Sequence, residues 1–133
     1  MTHITGWAHV TLSVRDHDRS VRWYEAVLGF QPAATETTGQ WIRSLCVHRG
    51  SGTILVLHQN LSCNGKEFDE RQPGLDHLAL SVPGRAELEA WQQRLDSLAV
   101  AYTPIADAGR GALVVNFRDP DNIALELFYR PQG

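Results

Sequence analysis

The sequence predicts an α+β fold made of two tandem βαβββ modules, and three observations predict it. A shift of 68 residues lays Ala8-His9-Val10-Thr11-Leu12-Ser13-Val14 on Asp76-His77-Leu78-Ala79-Leu80-Ser81-Val82 and Trp23 on Trp91. Each half opens with an alternating, β-branched run and continues with apolar residues at helical spacing. Each half then closes with three extended runs separated by glycine, proline or asparagine. At 133 residues the chain fits one domain holding both modules. We place the first module at 1–60, a linker at 61–74 and the second module at 75–133.

Residues 6–14 alternate apolar and polar side chains and read as the first strand. Asp16 or Asp18 can cap the helix that follows, because an aspartate oxygen accepts the unpaired N–H groups of a first helical turn. Val21, Tyr24 and Leu28 recur on one face of it, and Gly29 suits the left-handed residue that stops a helix. Residues 30–37, 41–48 and 53–59 read as strands. The polar stretch 61–74 contains Asn64-Gly65 and Pro73-Gly74 and reads as a linker or a mobile flap. A second strand–helix pair follows at 75–82 and on the face of Leu88, Trp91, Leu95 and Leu98. Strands near 101–105, 112–117 and 123–129 complete the repeat, with Asp119-Pro120-Asp121-Asn122 as the last turn.

The formal charge of -3 comes from interspersed acids and bases, so no basic stripe exists to meet a phosphate backbone and no nucleic-acid partner is expected. No apolar run approaches the length of a membrane helix, and the first five residues lack the features of a signal peptide. The expectation is a cytoplasmic protein with no membrane partner. Cys46 and Cys63, outside any CxxC spacing, are read as free thiols.

The same 68-residue shift carries His9 onto His77 and His58 onto Glu126. Histidine nitrogens and carboxylate oxygens are ordinary ligands of divalent metals, and all four residues lie in strand-like segments. Side chains two apart share a face of a strand, so Glu126 sides with Ala124 and Phe128 while Leu125 and Leu127 point the other way. A carboxylate among such neighbours needs a cation, a hydrogen-bond partner or a wet cavity. His9, His58, His77 and Glu126 are therefore the candidate metal ligands, with zinc, nickel, iron, cobalt or manganese as the candidate metal. His3, His17 and His48 have no ligand-type counterparts and read as surface residues. Trp23 and Trp91 read as core anchors, while Trp7 and Trp41 are candidates to line a pocket. Arg43 and Arg110 read as solvated arginines, with a grip on an acidic substrate tail as the other reading.

Four stretches carry a family resemblance: Ala8 to Val14, Ser20-Val21-Arg22-Trp23-Tyr24-Glu25-Ala26-Val27-Leu28-Gly29-Phe30, Asp76 to Leu80, and Phe117-Arg118-Asp119-Pro120-Asp121-Asn122-Ile123-Ala124-Leu125-Glu126-Leu127. The chain resembles the vicinal oxygen chelate superfamily, which includes glyoxalase I, fosfomycin and bleomycin resistance proteins, methylmalonyl-CoA epimerase and extradiol dioxygenases. That resemblance implies a curved, partly closed sheet around a metal cavity, with the usual ligands mapping onto His9, His77 and Glu126. It also implies a homodimer and a small-molecule substrate that chelates the metal through adjacent oxygens. His58 stands where glyoxalase I generally has a carboxylate or amide ligand, with Val56 the alternative if the alignment slips by two. The departure counts against glutathione-dependent glyoxalase activity. The favoured chemistry is isomerisation or lysis by proton transfer, with Glu126 or His58 moving the proton. Thiol or epoxide transfer in antibiotic resistance, metal-free drug sequestration and extradiol dioxygenation are the alternatives.

Overall fold

The computed structural model describes residues 1–132. The chain divides into two compact units, Met1–Lys66 and the remainder from Glu67. The first unit holds β1 (Val10–Ser13), α1 (His17–Leu28), β2 (Phe30–Thr37), β3 (Trp41–His48) and β4 (Thr53–Asn60). Its sheet runs β1-β4-β3-β2, with β1 parallel to β4 and the other pairs antiparallel. The second unit repeats this with β5 (Leu78–Ser81), α2 (Arg85–Ser97), β6 (Tyr102–Gly109), β7 (Ala112–Arg118) and β8 (Ala124–Tyr129), in the order β5-β8-β7-β6. The tandem βαβββ plan holds, with one four-stranded mixed sheet in each unit.

Local chemistry explains the boundaries. The Asp16 carboxylate accepts from the Arg19 N–H at 3.0 Å and caps α1, and Gly29 ends it at φ 78°, a conformation that costs a residue without a Cβ little. Tyr24, Val27 and Leu28 of α1 pack with Leu55 and Leu57 in the first core. In the second unit Leu88 and Leu95 are fully buried, as are Val115, Leu125 and Leu127. The helix predicted through Leu98 stops one residue short of it: α2 ends at Ser97, and Leu98 is 39% exposed beyond it. Trp23 and Trp91 are half-buried flanks rather than core anchors.

His17 corrects the sequence reading. It is only 6% exposed, its Nε2 lies 2.7 Å from the Ser44 hydroxyl, and its Nδ1 lies 2.8 Å from the Asp18 carboxylate. The arrangement has the residue types of a hydrolase triad, but Ser44 is wholly buried and also bonded to Thr35, so it pins α1 to β3 instead of meeting substrate. His48 is likewise half-buried, its ring 5.6 Å from that of Phe30. Cys46 and Cys63 are both free. Burial, reinforced by the nearby Glu25 charge, pushes the Cys46 thiol up to about 11.

Part of the expected linker is fastened to the second unit. Phe68 exchanges hydrogen bonds with the last turn, its N–H donating to Asp121 O at 2.9 Å and its carbonyl accepting from Asn122 Nδ2 at 3.2 Å. Arg118 donates to both oxygens of Glu70, at 2.7 and 3.0 Å. These bonds hold the Glu70 carboxyl down to about 2, well below the usual carboxylate range. A group lowered in the folded state stabilises above its unfolded pKa and loses that contribution as pH falls through the folded value. The strap is thus expected to stay closed at neutral pH and to loosen in acid below about 4.3, the ordinary glutamate value. Arg118→Ala is expected to speed tryptic cleavage after Arg71 several-fold at neutral pH. Cleavage at the wild-type rate would show that Phe68 alone closes the strap.

Candidate metal centre

In the second unit the alternation of β8 separates two environments. Leu125 and Leu127 enter the core, and Glu126 between them faces a cavity of about 660 Å³. The parallel partner of Glu126 is Ala79 of β5, and its antiparallel partner is Asn116 of β7. His77 stands one residue ahead of β5, which brings its Nε2 to 3.4 Å from Glu126 Oε2. The Glu126 side chain is 19% exposed and that of His77 42%.

Asp76 fixes the imidazole from behind. Its Oδ1 lies 2.7 Å from His77 Nδ1. A proton held on Nδ1 by that carboxylate leaves the Nε2 lone pair directed at the cavity, the tautomer a metal-binding histidine needs. The Asp76 hydrogen bond is the main cause raising the His77 pKa, with the Glu126 charge adding to it and burial opposing. Tyr102, Thr103 and Asn116 add polar atoms to the cavity wall. A nitrogen and a carboxylate oxygen converging on one cavity, with an orienting carboxylate outside them, fit a divalent cation as a pair of its ligands. Among the described residues no group of three or more His, Cys, Asp or Glu side chains is assembled as a metal cluster.

The first unit carries His9 and His58. His9 is exposed and precedes β1 by one residue, as His77 precedes β5. His58 lies in β4 opposite Arg43 of β3, its ring 5.5 Å from that of Trp41.

Strand register corrects the equivalence of His58 and Glu126. Thr11 pairs with Val56 where its repeat counterpart Ala79 pairs with Glu126, and Ser13 pairs with His58 where Ser81 pairs with Phe128. The strand ends agree: Val14 N–H donates to His58 O, and Val82 N–H to Phe128 O. The structural counterpart of Glu126 is therefore Val56, and His58 stands one pleat further along on the same face. The physical reason is a two-residue length difference between the modules. The paired residues Val10 and Leu55 are 45 positions apart while Leu78 and Leu125 are 47 apart, so one fixed offset cannot align both ends of the repeat.

Sequence reasoning missed Asp76, Asn116 and the Glu70–Arg118 pair at the cavity. The Asp76-His77 dipeptide was a usable signal, since a carboxylate beside a ligand histidine is a common orienting partner. Asn116 had none, because only register sets it opposite Glu126. Trp7, a pocket candidate from sequence, is 95% exposed.

A family model described as the Glyoxalase/Bleomycin resistance protein/Dioxygenase superfamily matches residues 6–127. No curated protein matches the chain. A solved glyoxylase/bleomycin resistance protein/dioxygenase domain from Frankia sp. EAN1pec is similar at 34% identity and a TM-score of 0.89, covering 98% of this chain and 96% of that one. The fosfomycin resistance protein FosX from Listeria monocytogenes, solved with Mn(II) and sulfate, shares the fold at 17% identity and a TM-score of 0.70. That likeness covers 97% of this chain and 95% of FosX. An integron cassette protein from the Halifax Harbour sewage outfall is similar at 21% identity and a TM-score of 0.76, over 96% of this chain and 100% of that one. No helix among the described residues is long and apolar enough to cross a membrane.

Proposed function

The chain belongs to the glyoxalase/bleomycin resistance protein/dioxygenase superfamily, and from that premise we propose that it is a divalent-metal-dependent enzyme acting on a small substrate with two adjacent oxygens. The observation that carries the reading is His77 Nε2 facing Glu126 Oε2 across 3.4 Å, with Asp76 bonded behind the imidazole. The proposed ligands are His77 and Glu126 together with His9, and His58 is the fourth candidate. Zinc, nickel, iron, cobalt and manganese are the candidate ions. When bound, such an ion supplies Lewis acidity, stabilising negative charge as it develops on the chelating oxygens.

The protein's own share of the chemistry is positioning and proton transfer. Asp76 holds the His77 ring in one orientation. Glu126, facing the cavity, takes a proton from the carbon beside a chelating oxygen and returns it, with His58 the second candidate for that task. Isomerisation or lysis follows from the same proton movement. We propose a cytoplasmic homodimer as the working unit, and the exposed Trp7 is apolar surface that a second copy would cover.

Elemental analysis of protein purified without tag or chelator tests the reading, with light scattering on the same sample for the dimer. Stoichiometric metal is the expected result, and protein that refuses added zinc, nickel, manganese and ferrous iron sinks it in favour of drug sequestration. His58→Ala is expected to keep the metal, because Val56 rather than His58 occupies the counterpart position to Glu126, and lost turnover at full metal content would make His58 the proton-transfer group. Metal loss in that variant would instead make His58 a ligand. The likeness to FosX supports epoxide or thiol transfer as a second reading, which an epoxide substrate with and without a thiol separates from the first. Oxygen uptake would mark a dioxygenase.

A further inference from the structure

On the sheet face of the first unit turned away from α1, a cation stands without a counter-charge among the described residues. Arg43 in β3 lies directly opposite Glu36 of β2 and His58 of β4. Cross-strand neighbours of opposite charge are close enough to pair, yet Arg43 and Glu36 form no ion pair. The guanidinium carbon instead sits 3.8 Å from the centroid of the Trp41 ring, and Nε is buried with no hydrogen-bond partner. The His58 ring flanks the same indole at 5.5 Å, tilted by 35°. Arg43 is thus not the solvated arginine that its sequence context indicates.

Packing alone does not account for this. A guanidinium gains from stacking on an indole, but leaving one of its N–H donors buried and unmatched by any protein group costs free energy that pairing with Glu36 would have avoided. The stack holds the fork in one orientation, and a planar fork so held is matched to an oxyanion. One cation, one aromatic surface and one adjacent imidazole suit a small molecule with a single anionic end.

We propose that Trp41, Arg43 and His58 form an oxyanion-binding platform that takes the carboxylate or phosphonate end of a small substrate. The platform requires no metal. Only its assignment to the substrate of the metal centre rests on the function proposed above, and it narrows that substrate to an acid.

The test is titration of the protein as purified with propionate and, separately, methylphosphonate. Calorimetry and tryptophan fluorescence report binding, with metal content measured on the same samples. Saturable binding of at least one probe is expected, and which probe binds distinguishes a carboxylate from a phosphonate. Arg43→Met keeps an apolar stem against Trp41 and is expected to weaken binding by about 10- to 100-fold, the loss of a charge-assisted hydrogen bond, at unchanged metal content. Arg43→Lys keeps the charge without the fork and is expected to lose several-fold; it decides the matter should the methionine variant fail to fold. Wild-type protein that binds neither probe overturns the platform, as do variants that bind like wild type. Metal-loaded protein that binds no anion overturns this proposal alone, and metal-free protein whose anion binding depends on Arg43 overturns only the metal-enzyme reading.

Discussion

His77→Ala is expected to empty the protein of its metal and abolish turnover while leaving the fold intact. The imidazole is 42% exposed at the cavity, so its removal leaves no void in the core. What disappears is the nitrogen facing Glu126, and with it the convergence of the two proposed ligand atoms. Asp76→Asn is the more discriminating variant. It keeps the shape and can keep a hydrogen bond to Nδ1, but it removes the charge that orients and enriches the imidazole. Loss of such an outer partner typically costs about 10- to 100-fold in metal affinity or activity. Elemental analysis and metal titration of wild type and both variants give the order: wild type tightest, asparagine weaker, alanine empty. Alanine protein with full metal content would remove His77 from the site.

Leu95→Ala is expected to cost about 2–5 kcal/mol of stability, the range for truncating a fully buried leucine. Leu95 is completely buried in α2, so the lost methyl groups leave a cavity. Against a total stability of about 5–15 kcal/mol for a domain, that is a large fraction. Leu98→Ala, three residues on, is expected to stay within about 0.5 kcal/mol, because Leu98 lies past the helix end and is substantially exposed. Urea denaturation separates the two, with a lowered midpoint for position 95 and an unmoved one for position 98. Equal effects would mean that Leu98 packs in solution as firmly as Leu95.

That pair of leucines marks how far periodicity carries. Leu88, Trp91, Leu95 and Leu98 share one stripe by spacing, and the stripe correctly predicts a helix. Which of them reach the core depends on where α2 ends and how it lies on its sheet, and spacing contains neither. The histidines teach the same lesson in the other direction. His17 lacks a ligand-type repeat partner and reads as surface, yet Ser44, 27 positions away, closes over it with a hydrogen bond.

The sequence by itself determined the two-module plan and the strand and helix types, and it named His77 and Glu126 among four candidate ligands. The plan and the element types follow from local regularities: alternation along strands, helical spacing, and a repeat that holds at β1 and β5. Tertiary structure alone decided that Val56 rather than His58 stands where Glu126 stands, that Asp76 backs His77, and that Arg43 lies on Trp41 instead of pairing with Glu36. Those outcomes depend on register between strands distant in sequence. Register depends on how far apart in sequence the paired strands lie, 45 positions from Val10 to Leu55 and 47 from Leu78 to Leu125, and that two-residue difference keeps a side chain on its face while moving it a full pleat along the strand.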